Sequence, residues 1–104
     1  MDIHERLLQS TGFEWDQGNA DKNWLTHGVS TGECEQIFFN EPFVVSEDTA
    51  HSQKEARFYA LGRADTGRRL FVVFTLRHHQ IRVISARDMS QKEGRSYDHF
   101  EENT

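Results

Sequence analysis

Two hydrophobic rhythms divide the chain. Up to Asn40 the apolar residues fall at helical spacing between capping residues, and from Phe43 to Ala86 they come in short runs separated by turns. Phe13–Trp15, behind Gly12, reads as a short strand. Asp16 then caps a helix running to about His27, and Gly28 stands where a left-handed terminator belongs. Ser30-Thr31-Gly32-Glu33 has the capping-box pattern of a second helix, with Val29 and Cys34 at its staple positions. Cys34, Ile37 and Phe38 form its apolar stripe, and Asn40-Glu41-Pro42 stops it. Residues 1–10 are a polar leader with one helical hint in Ile3, Leu7 and Leu8.

Beyond Pro42 the pattern predicts strands at Phe43–Ser46, Arg57–Arg63, Arg69–Leu76 and Ile81–Ala86. A polar loop, Glu47–Lys54, and two turns, Asp65-Thr66-Gly67 and Arg77-His78-His79-Gln80, separate them. Gly62 and Gly67 read as turn glycines. Gaps this short require antiparallel hairpins, because a parallel crossover needs a dozen or more residues. The apolar Arg69–Leu76 is expected to be central and buried on both faces. Ser90-Gln91-Lys92-Glu93 is another capping box, opening a C-terminal helix through Tyr97 and Phe100, with Glu101–Thr104 fraying. The predicted class is α+β: two N-terminal helices, an antiparallel β-meander and a closing helix, in one domain of 104 residues.

Composition narrows the setting. The single Cys34 excludes an internal disulfide and suits a reducing compartment. The N-terminus lacks the apolar run of a signal peptide, and nothing approaches the ~20 apolar residues of a membrane helix. A cytoplasmic protein with no membrane contact is expected. The formal net charge of −5 argues against a polyanion partner until it is mapped along the chain. Residues 1–55 hold 3 Lys/Arg against 11 Asp/Glu, whereas residues 57–87 hold seven Arg, no Lys and only Asp65. Such an asymmetry suggests a polyanion site on the later strands, and arginine's planar fork suits phosphate oxygens. The plainer reading is that these arginines protect strand edges or pair with carboxylates. Six histidines raise the question of a metal, but no His-x-x-x-His or Cys-x-x-Cys spacing exists, so no metal site is expected. No cofactor motif is present either.

The order Phe13-Glu14-Trp15-Asp16, His27-Gly28-Val29-Ser30, Ala60-Leu61-Gly62-Arg63 and Ile81-Arg82-Val83-Ile84-Ser85-Ala86-Arg87 resembles the BrnT family of bacterial toxins. The resemblance runs from about Phe13 to Tyr97. It implies a RelE-like fold and a metal-independent endoribonuclease that inhibits growth. It also implies neutralisation by a BrnA-like ribbon-helix-helix antitoxin in a hetero-oligomer, with DNA contacted only through the antitoxin. Two departures stand out. Thr26 occupies the place of a lysine before His27, so Lys22 or an arginine would have to cover for it. In Lys92-Glu93-Gly94-Arg95, Gly94 moves the cation one position, about 100° round the helix, and costs about 1 kcal/mol of helix propensity.

Metal-free RNA cleavage uses the 2′-hydroxyl as internal nucleophile and needs a base, an acid and cations for the developing charge. His27 is the first catalytic candidate: it meets the negative end of a helix dipole, a place suited to a proton donor, and the resemblance centres on it. Without the resemblance it would be an ordinary capping histidine. Arg63 and Arg87 end strands and match the family's Leu-Gly-Arg and Ser-Ala-Arg elements; they are the candidate transition-state cations. The candidate RNA-binding set is Trp15, Lys22, Arg57, Arg82 and Arg95. Trp15 can stack on a base, or else be core beside a helix cap. Alternation puts Arg82 opposite Arg87 unless a bulge intervenes. His51 and Glu55 are expected to organise their loop. The rival function is a catalytically weakened relative that survives as the antitoxin's binding partner and co-repressor.

Overall fold

The structure, a computed structural model, describes residues 2–51 and 54–103; Ser52 and Gln53 of the predicted loop and Thr104 of the predicted tail lie outside them. In chain order the elements are α1 (Ile3–Leu8), β1 (Gly12–Glu14), α2 (Gln17–His27), α3 (Thr31–Gln36), β2 (Val44–Glu47), a 3₁₀ turn (Thr49–His51), β3 (Arg57–Arg63), β4 (Arg69–Arg77), β5 (Gln80–Asp88) and α4 (Gln91–Glu102).

The polar caps start each helix where the pattern places them. The Asp16 carboxylate accepts from the Asn19 amide, and Gly28 closes α2 in the left-handed region at φ 64°. Both capping boxes form, Ser30 with Glu33 and Ser90 with Glu93. The leader is more structured than its polarity suggests. Asp2 caps α1 by accepting from Glu5, while Ile3 and Leu7 pack on the core, so three helices rather than two precede the meander. The second predicted helix is shorter than its stripe. α3 ends at Gln36, although Cys34 and Ile37 are fully buried and Phe38 stacks edge-on against Phe13 and Phe74.

The sheet order is β1-β5-β4-β3-β2. β2 to β5 form the expected antiparallel meander, but β1 adds to β5 in parallel, pairing Gly12, Phe13 and Glu14 with Gln80, Ile81 and Arg82. The sheet is therefore mixed. The 65 residues between Glu14 and Gln80 far exceed the dozen or so that a parallel connection needs.

β4 is central, as expected, but alternates rather than being buried on both faces. Leu70, Val72 and Phe74 are fully buried on the core face, while Phe71 and Val73 are only partly covered. On that second face cover comes from side chains: the Arg87 guanidinium lies 4.2 Å from the Phe71 ring centroid and the Tyr59 ring stacks at 5.7 Å. The core face packs against Val29, Cys34 and Ile37. A bulge interrupts β5. Val73 pairs with Ser85 and Phe74 with Val83, leaving Ile84 as the extra residue. Ile81, Val83 and Ala86 stay on the core side, and Arg82 and Arg87 are brought to the same, outer face. The rule of simple alternation, which set these two arginines on opposite faces, is corrected by that one inserted residue.

α4 runs to Glu102, so Glu101 does not fray; it is ion-paired with Arg69. The buried Tyr97 anchors the helix by donating to the Pro42 carbonyl at 2.6 Å, with the Arg69 guanidinium 5.2 Å from its ring centroid. Gly67 is a turn glycine at φ 92°, but Gly62 lies inside β3. A Cβ at Gly62 would stand 2.8 Å from the Ile37 Cβ and 3.3 Å from its carbonyl oxygen, so the residue is bare because the chain after α3 crosses against the strand. Gly62→Ala is expected to destabilise the protein by about 1–3 kcal/mol, measured as a lower urea midpoint with an unchanged slope, whereas Gly32→Ala, whose Cβ would meet only the Ser30 hydroxyl at 3.9 Å, is tolerated.

Candidate active site

β1 covers only the first residues of β5, and the free edge beyond Arg82 is taken by α2. Asn23, fully buried, reaches from the middle of the helix to accept the Ala86 amide at 3.2 Å through its side-chain oxygen. The helix therefore runs along the edge and ends beside the end of β5, which puts His27, its last residue, within electrostatic reach of Asp88. Arg87, one residue earlier on β5, is held by a bidentate pair with Glu93 of α4 at 2.8 and 3.0 Å, and it also donates to the Asp88 carbonyl at 3.0 Å. Arg63 ends β3 in register with Arg69, at the same end of the sheet, with Glu101 at 3.9 Å. The three candidate catalytic residues thus converge on one end of the sheet.

Arg68, which no motif singled out, ties this end together. It donates to the His27 and Gly28 carbonyls at 3.1 and 2.8 Å, holds Asp88 in a bidentate pair at 2.7 and 3.1 Å, and pairs with Glu33 at 3.3 Å. Its signal in the sequence was only its place after the Asp65-Thr66-Gly67 turn. The carboxylates feel these cations. Asp88 is held below its ordinary value by the hydrogen bond from Arg68, with a smaller contribution from His27. Glu93 is lowered chiefly by Arg87. Glu33 is lowered as well: burial pushes it up, and the Ser30 amide and Arg68 outweigh that.

The other candidates lie elsewhere. Arg82 sits between Glu14 at 3.1 Å and Asp16 at 3.3 Å, level with Arg57 toward the other end of the sheet, since both are in register with Thr75. Trp15 packs against the core and its indole N–H donates to Glu35 at 2.8 Å, so its ring is part of the packed layer. Lys22 is exposed on α2 five residues before His27, about 140° away round the helix, and does not stand in for the missing lysine. Arg95 is exposed on α4, two residues beyond Glu93 and turned roughly 200° from it. Arg57 opens β3 at the opposite end, beside a hollow of about 380 Å³ shared with His51, Lys54 and Glu55. In that loop His51 pairs with Asp48 and Glu55 with Arg77. Arg63, Arg68, Arg69, Arg77, Arg82 and Arg87 all have carboxylate partners, most of them contributed from outside the meander, so the charge segregation along the chain is largely undone in space. An apolar groove of about 610 Å³, lined by Leu7, Phe13 and Phe39 among others, opens near the start of β5, far from His27. Cys34 takes no part: burial pushes its thiol up to about 12.

A histidine at a helix end with arginines at neighbouring strand ends, on a small α+β frame, defines a candidate acid–base nuclease site. The family model of the ribonuclease toxin BrnT of type II toxin–antitoxin systems matches residues 15–93. The chain belongs to this family. It is accordingly a ribonuclease toxin, and the family implies an RNA substrate and an antitoxin partner. Its fold is similar to the crystal structure of the Brucella abortus ribonuclease toxin BrnT, with a TM-score of 0.60 at 22% identity, covering 79% of this chain and 100% of that one. No curated protein sequence matches it significantly. Among the described residues no helix is long and apolar enough to cross a membrane.

The lowered carboxylates give the fold an acid limb of defined sign. A group whose folded value lies below its unfolded one stabilises fully above the unfolded value and loses that contribution as pH falls through the folded one. Glu93→Gln is therefore expected to be less stable than the wild type at neutral pH, with the gap closing once the pH drops well below the ordinary value of 4.5; urea unfolding at a series of pH values measures both.

Proposed function

We propose that this toxin cleaves RNA without a metal, by attack of the 2′-hydroxyl on the adjacent phosphorus and departure of the 5′-oxygen. His27 exchanges the proton as general acid or base, and Arg63 and Arg87 stabilise the charge that develops on the non-bridging oxygens. The observation that carries this reading is that His27 and Arg87, sixty residues apart in sequence, flank Asp88 at one end of the sheet. The frame is RelE-like in its meander and closing helix. Arg87 holds Glu93 in the free protein, so a substrate phosphate takes over a cation already oriented by a carboxylate of the same two-oxygen geometry. Thr26 leaves the site without a lysine beside the histidine, which places more of the charge stabilisation on the two arginines. The partner is a BrnA-like ribbon-helix-helix antitoxin that supplies the DNA contact, and the toxin acts in the cytoplasm.

Induction of the wild type is expected to arrest growth with loss of RNA, reversed by co-expression of a ribbon-helix-helix protein encoded beside it. His27→Ala is expected to lower cleavage by roughly 10²–10⁴-fold and Arg87→Ala by roughly 10²–10³-fold, with both variants folded by circular dichroism. A folded wild type that leaves RNA intact yet binds the antitoxin tightly would replace the nuclease mechanism with the co-repressor role.

A further inference from the structure

A guanidinium carries five N–H donors in one plane, and Arg68 spends them on groups from three elements. Nε and Nη2 clasp the two Asp88 oxygens at 2.7 and 3.1 Å at the end of β5. Nη2 also reaches the His27 carbonyl at 3.1 Å, and Nη1 the Gly28 carbonyl at 2.8 Å and Glu33 at 3.3 Å on α3. The arginine is itself fixed, since its carbonyl accepts the Ala64 amide at 2.8 Å across the β3–β4 turn. The last carbonyls of a helix have no partner within it, so the end of α2 would otherwise be free to fray.

We propose that Arg68 is a positioning residue for cleavage: it locks the helix end that carries His27 against β5, through the His27 and Gly28 carbonyls on one side and the Asp88 carboxylate on the other. The inference rests on the reading of His27 as the acid–base group. Among the described residues, the charged groups near this helix end include Asp88 and Arg87 from β5, Arg68 from the β3–β4 turn and Glu33 from α3. With Arg68 bonded to both Asp88 oxygens and to the two carbonyls, the end of α2 is held in one place beside β5. A lysine cannot reproduce this, because one ammonium cannot hold two carbonyls and a bidentate carboxylate at once.

The test uses the full chain, following kcat and KM for cleavage of one RNA and, at the same pH, the His27 ring resonances by NMR. Arg68→Lys, which keeps the charge, is expected to stay folded and to lose about ten- to a hundredfold in kcat with KM little changed. Arg68→Gln, which also loses the charge, is expected to lose about a hundredfold or more in kcat, again with KM little changed, and to move the His27 ring resonances as the helix end loosens. A folded Arg68→Lys with wild-type kcat, or a folded Arg68→Gln whose His27 ring resonances match those of the wild type, overturns the proposal; should Arg68→Gln fail to fold, the Lys variant decides. His27→Ala separates the two readings. If it cleaves like the wild type, the histidine's role fails, and the NMR comparison of the Arg68 variants still judges whether Arg68 fixes the surroundings of His27.

Discussion

The free edge of β5 is the constraint on which the rest of this molecule depends. β5 is nine residues long and its outer neighbour β1 pairs with three of them. A sheet edge left open in mid-sheet would carry unpaired amides and invite another strand. The chain answers with a helix rather than a longer strand, and one side chain, Asn23, makes the bond to the Ala86 amide that a strand would have made. Everything at the candidate site follows from that substitution. The helix has to lie along the edge, its last residue has to arrive at the last residues of β5, and the turn between β3 and β4 has to close the gap with a side chain long enough to reach both.

That geometry explains which parts of the fold were legible in the sequence. Caps and terminators are local chemistry, so Asp16, Gly28, Ser30 and Ser90 announce their helices without knowledge of the rest. Strand spacing is local too, and the bounds of β3 follow directly from the apolar run. What was hidden is what depends on contacts far along the chain. The parallel pairing of β1 with β5 joins segments almost seventy residues apart. The need for glycine at position 62 is set by Ile37 from another element, which no turn rule contains. The bulge at Ile84 has no sequence mark, yet it decides that Arg82 and Arg87 share a face. Arg68 was hidden for a different reason: as one of seven arginines it had no pattern of its own, and its role lies wholly in what surrounds it.

The charge pattern carries a related lesson. Read along the chain, an acidic half precedes a basic one, as if a polyanion surface had been set aside. In space the two halves interlock. Glu14, Asp16, Glu33, Glu93 and Glu101 come from the strand and helices that border the meander and meet its arginines at short range. Such pairs contribute little to stability where water reaches them, but they hold long side chains in defined places. The arginines are thereby oriented before any ligand arrives, and the negative formal charge of the chain is compatible with sites where phosphate exchanges for carboxylate.

The parallel join between β1 and β5 also bears on how the protein comes into being. Contacts between distant segments form only after the intervening chain is available, and N-terminal elements emerge first during synthesis. α2 is made early, but the edge it lines and Asp88 beside its end are made some sixty residues later. A nascent chain that has not reached β5 therefore owns His27 without the surroundings that orient it. His27 and Arg87 come together only once β5 has been made, so the surroundings of this helix end are withheld from the partly made chain by topology alone.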